Sequence, residues 1–374
     1  MCDLKSSNDE GESLMKSKLV LLVPASIVLA AGTLFGQTPG YGRFIDDYAR
    51  AHRFSGTIMI EDKGRIGYAK SFGYANRQFK APNTIETKYK IASITKAFTA
   101  ALILRLHEQG KISLNQTIKT YLPNYTGPAG DKVTIKQLLN HTGGMANIDR
   151  RLTVESAIKN GLHQYQTPLT TDQLLAMYCS ENLMNEPGQV FDYNNADYII
   201  LGKIIERVYG EPYEQALKRE ILQPFGLHDS GMLYQHDVID NLADTYFFRE
   251  DLKRLANDLP VYIENWYTAG AMYSTAADVL KFSHALFGLK IIGREALSQM
   301  LTPGLDDYGY GVWVYDTTIN GKKRTVVKRP GRIMGAQSML FRLLNKNVTI
   351  VLLSNTDSTN LDEFAAEIAK RLTK

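Results

Sequence analysis

Ser93 and Lys96 stand three residues apart at the head of the apolar stretch IASITKAFTAALILRLHEQGKI, residues 91–112. Such a pair could do nucleophilic catalysis, in which a nearby base makes a serine hydroxyl reactive. A lysine accepts a proton only when neutral, so its ordinary pKa of about 10.4 must fall. Burial and the positive end of a helix both push it down. In the bland alternative Ser93 is a helix N-cap whose oxygen satisfies a free backbone N–H. Lys96 fits that alternative poorly. A cation in the first turn opposes the helix dipole at a cost of about 0.3–1 kcal/mol, and a capping box would place Glu or Gln there. The spacing puts both side chains on one face of the helix start, where backbone N–H groups can also serve an oxyanion. Alone the pattern is weak, because it recurs at Ser13/Lys16 and Ser156/Lys159, neither of which opens a long apolar helix.

A second group of chemical residues lies in FDYNNADYIILGKIIERVYG, residues 191–210, where Tyr193, Asn194 and Asn195 precede another apolar run. A phenol and an amide would sit in the turn that enters this helix. An isolated tyrosine there more often packs than reacts. Tyr74 and Asn76 repeat the Tyr-x-Asn form at a hairpin end, where it reads as coincidence.

The elements that must position these residues follow from periodicity and turn chemistry. The 95–109 run has its apolar residues spaced for one buried helix face, with Gly110 as a C-terminal stop. RFIDDYARAHRF (43–54) reads as a short amphipathic helix, and the strands around Lys63-Gly64 read as a hairpin. Residues 112–260 alternate helical patterns with Pro and Gly. Strand character returns in YGYGVWVYD, KRTVVKRPG, QSMLFRLL and NVTIVLLSN, and LDEFAAEIAKRLT closes the chain as a helix. The fold class expected is α/β (α+β): an antiparallel sheet flanked by helices and completed by both chain ends, with an inserted helical subdomain. Its bounds are a sheet part near 41–110 and 265–374 and a helical part near 111–264.

Composition narrows the class. The chain has 374 residues, 44% hydrophobic and 22% charged, which is ordinary for a globular enzyme. Three of the 43 basic and four of the 39 acidic residues precede position 37, leaving 40 against 35. That excess is small and spread out, so nucleic acid is not an expected partner. Met15-Lys16-Ser17-Lys18 followed by LVLLVPASIVLAAGTLFG (19–36) reads as a signal peptide or an uncleaved anchor, which predicts export to a periplasmic or extracellular site. Eighteen residues also reach the lower limit for spanning a bilayer, so membrane association through 19–36 is open. Cleavage is favoured over anchoring. Of the two cysteines, Cys2 lies in the leader and Cys179 is left without a disulfide partner. The seven histidines lack metal-ligand spacing, and no metal or cofactor is expected.

SITKAFTA, LNQTIKTYLPNY, VTIKQLLNHTGGM, FDYNNADYIILGKIIERVYG, ILQPFGLHDSGM and AGAMYSTAADVLKF follow one another in order. From about residue 43 onward the chain resembles the serine β-lactamase and penicillin-recognising hydrolase superfamily, in the branch of class C β-lactamases, D-Ala carboxypeptidases, D-aminopeptidases and esterases. The resemblance implies that Ser93 is the acylated nucleophile, Lys96 its proton-accepting partner and Tyr193 a general base or acid. It implies that Asn195 holds Lys96 and the substrate amide. Whether Lys96 or Tyr193 takes the first proton stays open.

The chain departs from the family at the third motif, usually Lys-Thr-Gly or His-x-Gly. Arg329-Pro330-Gly331 stands there within VVKRPGRIMGAQS, and no histidine follows His284. Arg329 is expected to grip a substrate carboxylate with two N–H groups, and Gly331 to let substrate approach closely. The N–H of Arg332 would join that of Ser93 in an oxyanion hole. Proline is tolerated on an edge strand, which is where the resemblance places Pro330. His141 reads as structural, and residues 232–262 either rim the pocket or form an irregular loop. The function expected is hydrolysis of an amide or ester, with a D-Ala-terminated peptide favoured as a small-molecule or peptide substrate. A small-ester esterase is one rival, and a catalytically silent penicillin-fold binding protein is another.

Overall fold

The hairpin forms where the turn residues require it. Lys63 and Gly64 both take positive φ, 49° and 82°, which suits a two-residue connection. Gly56–Asp62 and Arg65–Phe72 pair antiparallel across it. In this computed structural model, which describes residues 40–149 and 153–374, Gly56–Asp62 also pairs antiparallel with Val348–Ser354, placing Gly56 opposite Ser354. The two ends of the described chain therefore complete one sheet. Its strand order is Trp313–Ile319, Lys322–Ile333, Ala336–Leu343, Val348–Ser354, Gly56–Asp62, Arg65–Phe72. The leader and the apolar run at 19–36 lie outside the described residues. Among the described residues no helix is long and apolar enough to cross a membrane.

Every residue of Val348–Ser354 is buried, because both sheet faces are covered. Alternation then divides its side chains between two cores. Ile350 and Leu352 join Ile45, Phe364 and Ile368 under the helices Gly40–Ala51 and Leu361–Leu372. Val351 and Leu353 face the other way, into the larger core with Phe98 and Phe282. The region after residue 111 is mostly short helices, as its periodicity predicts. It also holds a hairpin of its own, Tyr246–Arg249 paired with Arg254–Asn257.

Two expectations need correction. The helix Thr95–Glu108 is buried on every side, with only Arg105, His107 and Glu108 outside the buried set. Its polar-looking face, Thr95, Lys96 and Thr99, packs against neighbouring helices, and Thr99 Oγ1 donates to Thr268 O at 2.8 Å. The Arg329 strand is not an edge strand, since it lies between two neighbours. Its pairing with Trp313–Ile319 stops at Lys328, however, and Arg329–Ile333 pair on one side only. Pro330 thus sits on a locally free margin, where a missing N–H leaves no ladder bond unmade.

The Thr95–Glu108 helix is fixed by an aromatic stack, Phe98 on Phe282, with centroids 3.7 Å apart and planes at 17°. Both rings are fully buried. Phe98→Ala is expected to destabilise the fold by about 3–5 kcal/mol, lowering the thermal midpoint by roughly 5 °C. Phe79→Ala, at a side chain 80% exposed, should leave the midpoint unchanged.

Candidate active site

Ser93 occupies a single 3-10 turn, Ala92–Ile94, that leads into the Thr95–Glu108 helix, and no side chain caps either start. The N-cap reading of Ser93 is therefore overturned: its hydroxyl faces Lys96 and Tyr193. Ala92, just before it, is held at φ 46°, a left-handed conformation that costs a non-glycine residue roughly 1–2 kcal/mol. Such strain persists only where surrounding contacts enforce it. Here Ser338 Oγ donates to Ile91 O at 2.7 Å and Arg329 Nε donates to Ser93 O at 2.6 Å.

Gly331 belongs to the same clamp. A Cβ on it would lie 2.6 Å from Ile91 O and 2.8 Å from Ser93 N. The close approach that demands glycine is thus that of the Ser93 backbone. Gly331 also lines a cavity onto which Ser93 opens.

Lys96 is fully buried. Its Nζ donates to Asn195 Oδ1 at 2.6 Å, Ala269 O at 2.9 Å and Ser93 Oγ at 3.3 Å. An ammonium has three N–H donors, so these oxygens match the charged form. Burial lowers its pKa to about 8, with the Tyr193 phenol opposing and Arg329 reinforcing the shift.

Tyr193 OH lies 2.9 Å from Ser93 Oγ. The residue enters from the turn before the helix Asn195–Tyr209, whose N-cap is Asn194, its side chain accepting from Ala196 N. Burial would raise the phenol's pKa, but the charges of Arg329 and Lys96 outweigh it and bring it down to about 8.

Arg329 departs most from expectation. It is 1% exposed. Besides Ser93 O, it donates through Nη1 to Tyr308 OH at 2.9 Å and through Nη2 to Tyr193 OH. Three of the five N–H groups of the guanidinium are therefore engaged by the protein, and its burial leaves little of the fork for a substrate carboxylate. Its place is beneath the phenol and beside the Trp313 ring, 5.3 Å from the centroid.

Around this cluster the polar groups are closed by their own partners. Asn195 Nδ2 donates to Asp149 Oδ2 at 2.5 Å, and Tyr165 OH donates to Asp149 Oδ1 at 2.7 Å. Both polar ends of the Asn195 amide thus already bond to protein, one to Lys96 and one to Asp149. His141 Nδ1 lies 2.6 Å from Asp197 Oδ2, with its ring 4.5 Å from that of Tyr193. Burial pushes His141 well below and Asp197 well above their ordinary ranges. His141 O accepts from Asp192 N at 2.9 Å, and Nδ1 lies 3.3 Å from Asn194 N. His141 thus braces Tyr193 from both sides, in keeping with a structural part. Asp149, Tyr308 and Ala269 carry no signal in residue spacing, and only the fold brings them here.

Ser93 opens onto two cavities. One, of about 320 Å³, runs past Tyr165, Phe247 and Trp266. The other, of about 550 Å³, runs along Arg329–Arg332, Ser338 and Asp362. Arg332 lines both, as do Tyr193 and Asp357. Arg332 is 61% exposed at its side chain, with Nη2 3.8 Å from Asp357 Oδ2. The hairpin Tyr246–Asn257 puts Phe247 over the smaller cavity, so part of the 232–262 region does rim the site.

The sequence and the fold have counterparts in known proteins. PbpX of Bacillus subtilis is 34% identical over 271 residues, covering 72% of this chain and 64% of that protein, so the match spans under two thirds of its length. A penicillin-binding protein of Bacillus halodurans superposes with a TM-score of 0.73 at 26% identity, covering 87% of this chain and 98% of the other. An octameric penicillin-binding protein homologue of Pyrococcus abyssi gives 0.75 at 27%, covering 88% and 76%. The beta-lactamase family model matches residues 42–374, and the chain belongs to that family.

Proposed function

We propose that the protein is an exported serine hydrolase that forms an acyl-enzyme on Ser93 and releases it to water. One observation carries this reading. Two fully buried cations, Lys96 and Arg329, face a single phenol that lies within hydrogen-bond reach of Ser93 Oγ. No carboxylate pairs with either cation among the ion pairs of the described residues. A buried charge without a counter-ion is costly, so the cluster favours Tyr193 as phenolate over Lys96 as neutral amine. This supports Tyr193 as the first base and leaves Lys96 charged.

The steps follow from that assignment. Ser93 Oγ attacks the carbonyl carbon while its proton passes to the Tyr193 oxygen, and the backbone N–H groups of Ser93 and Arg332 receive the oxyanion. Tyr193 then returns the proton to the leaving nitrogen or oxygen as the C–N or C–O bond breaks. In the second half, water gives its proton to Tyr193, attacks the acyl carbon, and Ser93 leaves reprotonated. No step requires a cofactor.

For substrate, a peptide ending in D-Ala is the favoured class. With Arg329 withdrawn, the exposed Arg332 at the mouth of both cavities is the cation that supports carboxylate recognition. Relatives named for penicillin binding are consistent with a D-Ala-like acyl donor. A small-ester esterase is the second reading, supported by the mostly hydrophobic side chains of the smaller cavity. The silent binding protein is disfavoured because the altered third motif puts its arginine on the phenol.

A fluorescent penicillin should add one acyl mass to the protein, mapped to Ser93, and Ser93→Ala should lose at least ~10³-fold of peptide or ester turnover. Labelling at another residue, or undiminished turnover in Ser93→Ala, would contradict the reading. Turnover should also depend on pH. Below about pH 8 the Lys96–Tyr193 pair holds both protons and lacks a base, so kcat/KM should rise with pH through an apparent value near 8 belonging to the pair. Arg329 lowers the proton affinity of both groups. Arg329→Met should therefore move that limb toward alkaline pH by about one unit or more, equivalent to ~1.4 kcal/mol per unit. An unmoved limb would remove Arg329 from the account.

A further inference from the structure

We propose that the 320 Å³ cavity beside Ser93 receives the side chain next to the scissile carbonyl on the acyl half of the substrate, and that it selects a compact, uncharged apolar group there. The inference rests on Ser93 being acylated and names which acyl groups it takes.

The chamber's surface is distinctive. Tyr165 and Trp266 stack with centroids 3.6 Å apart and planes at 3°, making an aromatic wall. Leu162, Phe247, Leu259 and Ile333 complete the apolar lining. The one deep carboxyl group is Asp149, and both of its oxygens already accept, from Asn195 Nδ2 and Tyr165 OH. Burial also raises its pKa against those hydrogen bonds. A charged or strongly polar acyl group drawn past Arg332 and Asp357 at the rim would lose water among the aromatic and aliphatic walls and find no free partner there, and such a site rejects it.

The cavity on the other side of Ser93 differs. It is larger, about 550 Å³, and its walls include Gln337, Ser338, Asn360 and Asp362. The leaving group must depart after the first step while the acyl group stays until water arrives. A dry, smaller chamber suits retention, and a larger polar cleft suits departure. At about 320 Å³ the chamber is near the small end of small-molecule sites, which fits a benzyl-sized or short aliphatic group and not a lipid chain.

The roof is tethered to the reacting centre. Phe247 belongs to the Tyr246–Arg249 strand, whose Phe248 N donates to Asp357 Oδ1 at 2.8 Å. Tyr246 N donates to Asn355 O at 2.9 Å. These backbone bonds hold the hairpin over Ser93 independently of the Phe247 ring, so the ring can be changed while the roof stays in place. Phe247 is thus a specificity-determining side chain.

The test is a series of p-nitrophenyl esters from acetyl to dodecanoyl, with succinyl as a charged acyl control, on the full chain. The burst of p-nitrophenol reports Ser93 acylation. kcat/KM should rise roughly fourfold per methylene, the equivalent of about 0.8 kcal/mol, up to a medium chain and then fall. The succinyl ester should be at least tenfold poorer than butanoyl. Phe247→Ala should move the optimum to longer chains and Phe247→Trp to shorter ones. Leu162→Ala, lining the chamber from the helical side, should lengthen the optimum independently of the hairpin. A burst with every ester but no dependence on acyl length would overturn the chamber assignment. So would a length dependence appearing in the alcohol half instead. No p-nitrophenol release from any ester and no acyl mass trapped on Ser93, alongside intact folding, would instead contradict acylation of Ser93 itself.

Discussion

Two positive charges are buried around one phenol, and much of the structure serves that arrangement. Lys96 and Arg329 are each almost without solvent exposure, and removing such ions from water costs several kcal/mol apiece after relaxation. The protein recovers this through oxygen acceptors placed around each cation and through the proton affinity of Tyr193, which both cations depress. The positive φ at Ala92 and the glycine at 331 follow from the same need. They press the Ser93 turn against the Arg329 strand, so that Arg329 Nε reaches Ser93 O and Nη2 reaches Tyr193 OH.

The sheet makes this geometry hold. Arg329 is on a strand near the C-terminal end of the sequence, Ser93 and Lys96 on the central buried helix, and Tyr193 on the turn before a second helix. Pairing of Gly56–Asp62 with Val348–Ser354 ties the early and late parts of the chain together. Burial of the Thr95–Glu108 helix on all sides fixes Lys96 against Asn195 and Ala269. Catalytic position is therefore a property of the core, and the mouth of the site is left to the hairpin, Arg332 and Asp357.

Much of the fold could be read from residues alone: the Lys63-Gly64 hairpin, the late strands, and the closure of the sheet by both chain ends. Ser93, Lys96, Tyr193 and Asn195 were legible as a group because two of them head one apolar helix and two head another. What spacing could not show was long-range. The all-round burial of the Ser93 helix depends on which helices pack against it, and the sequence pattern of one helix does not carry that. Arg329 shows the limit most clearly. Its charge and its place in the third motif were visible, yet an arginine next to a proline and a glycine says nothing about whether its fork points to substrate or to Tyr193 and Tyr308. Asp149 and Tyr308 were silent for the same reason, since each meets the site only through chain-distant contacts.

The central claim is that Tyr193 ionises in the working pH range while Lys96 keeps its proton. Carbon-13 labelling at tyrosine Cζ, with the resonance assigned by Tyr193→Phe, tests it directly. Among the 21 tyrosines, one signal should move to its phenolate position with a midpoint near 8, and that signal should vanish in the variant. A Tyr193 resonance that stays in the phenol position up to pH 10 would contradict the account and return the role of base to Lys96.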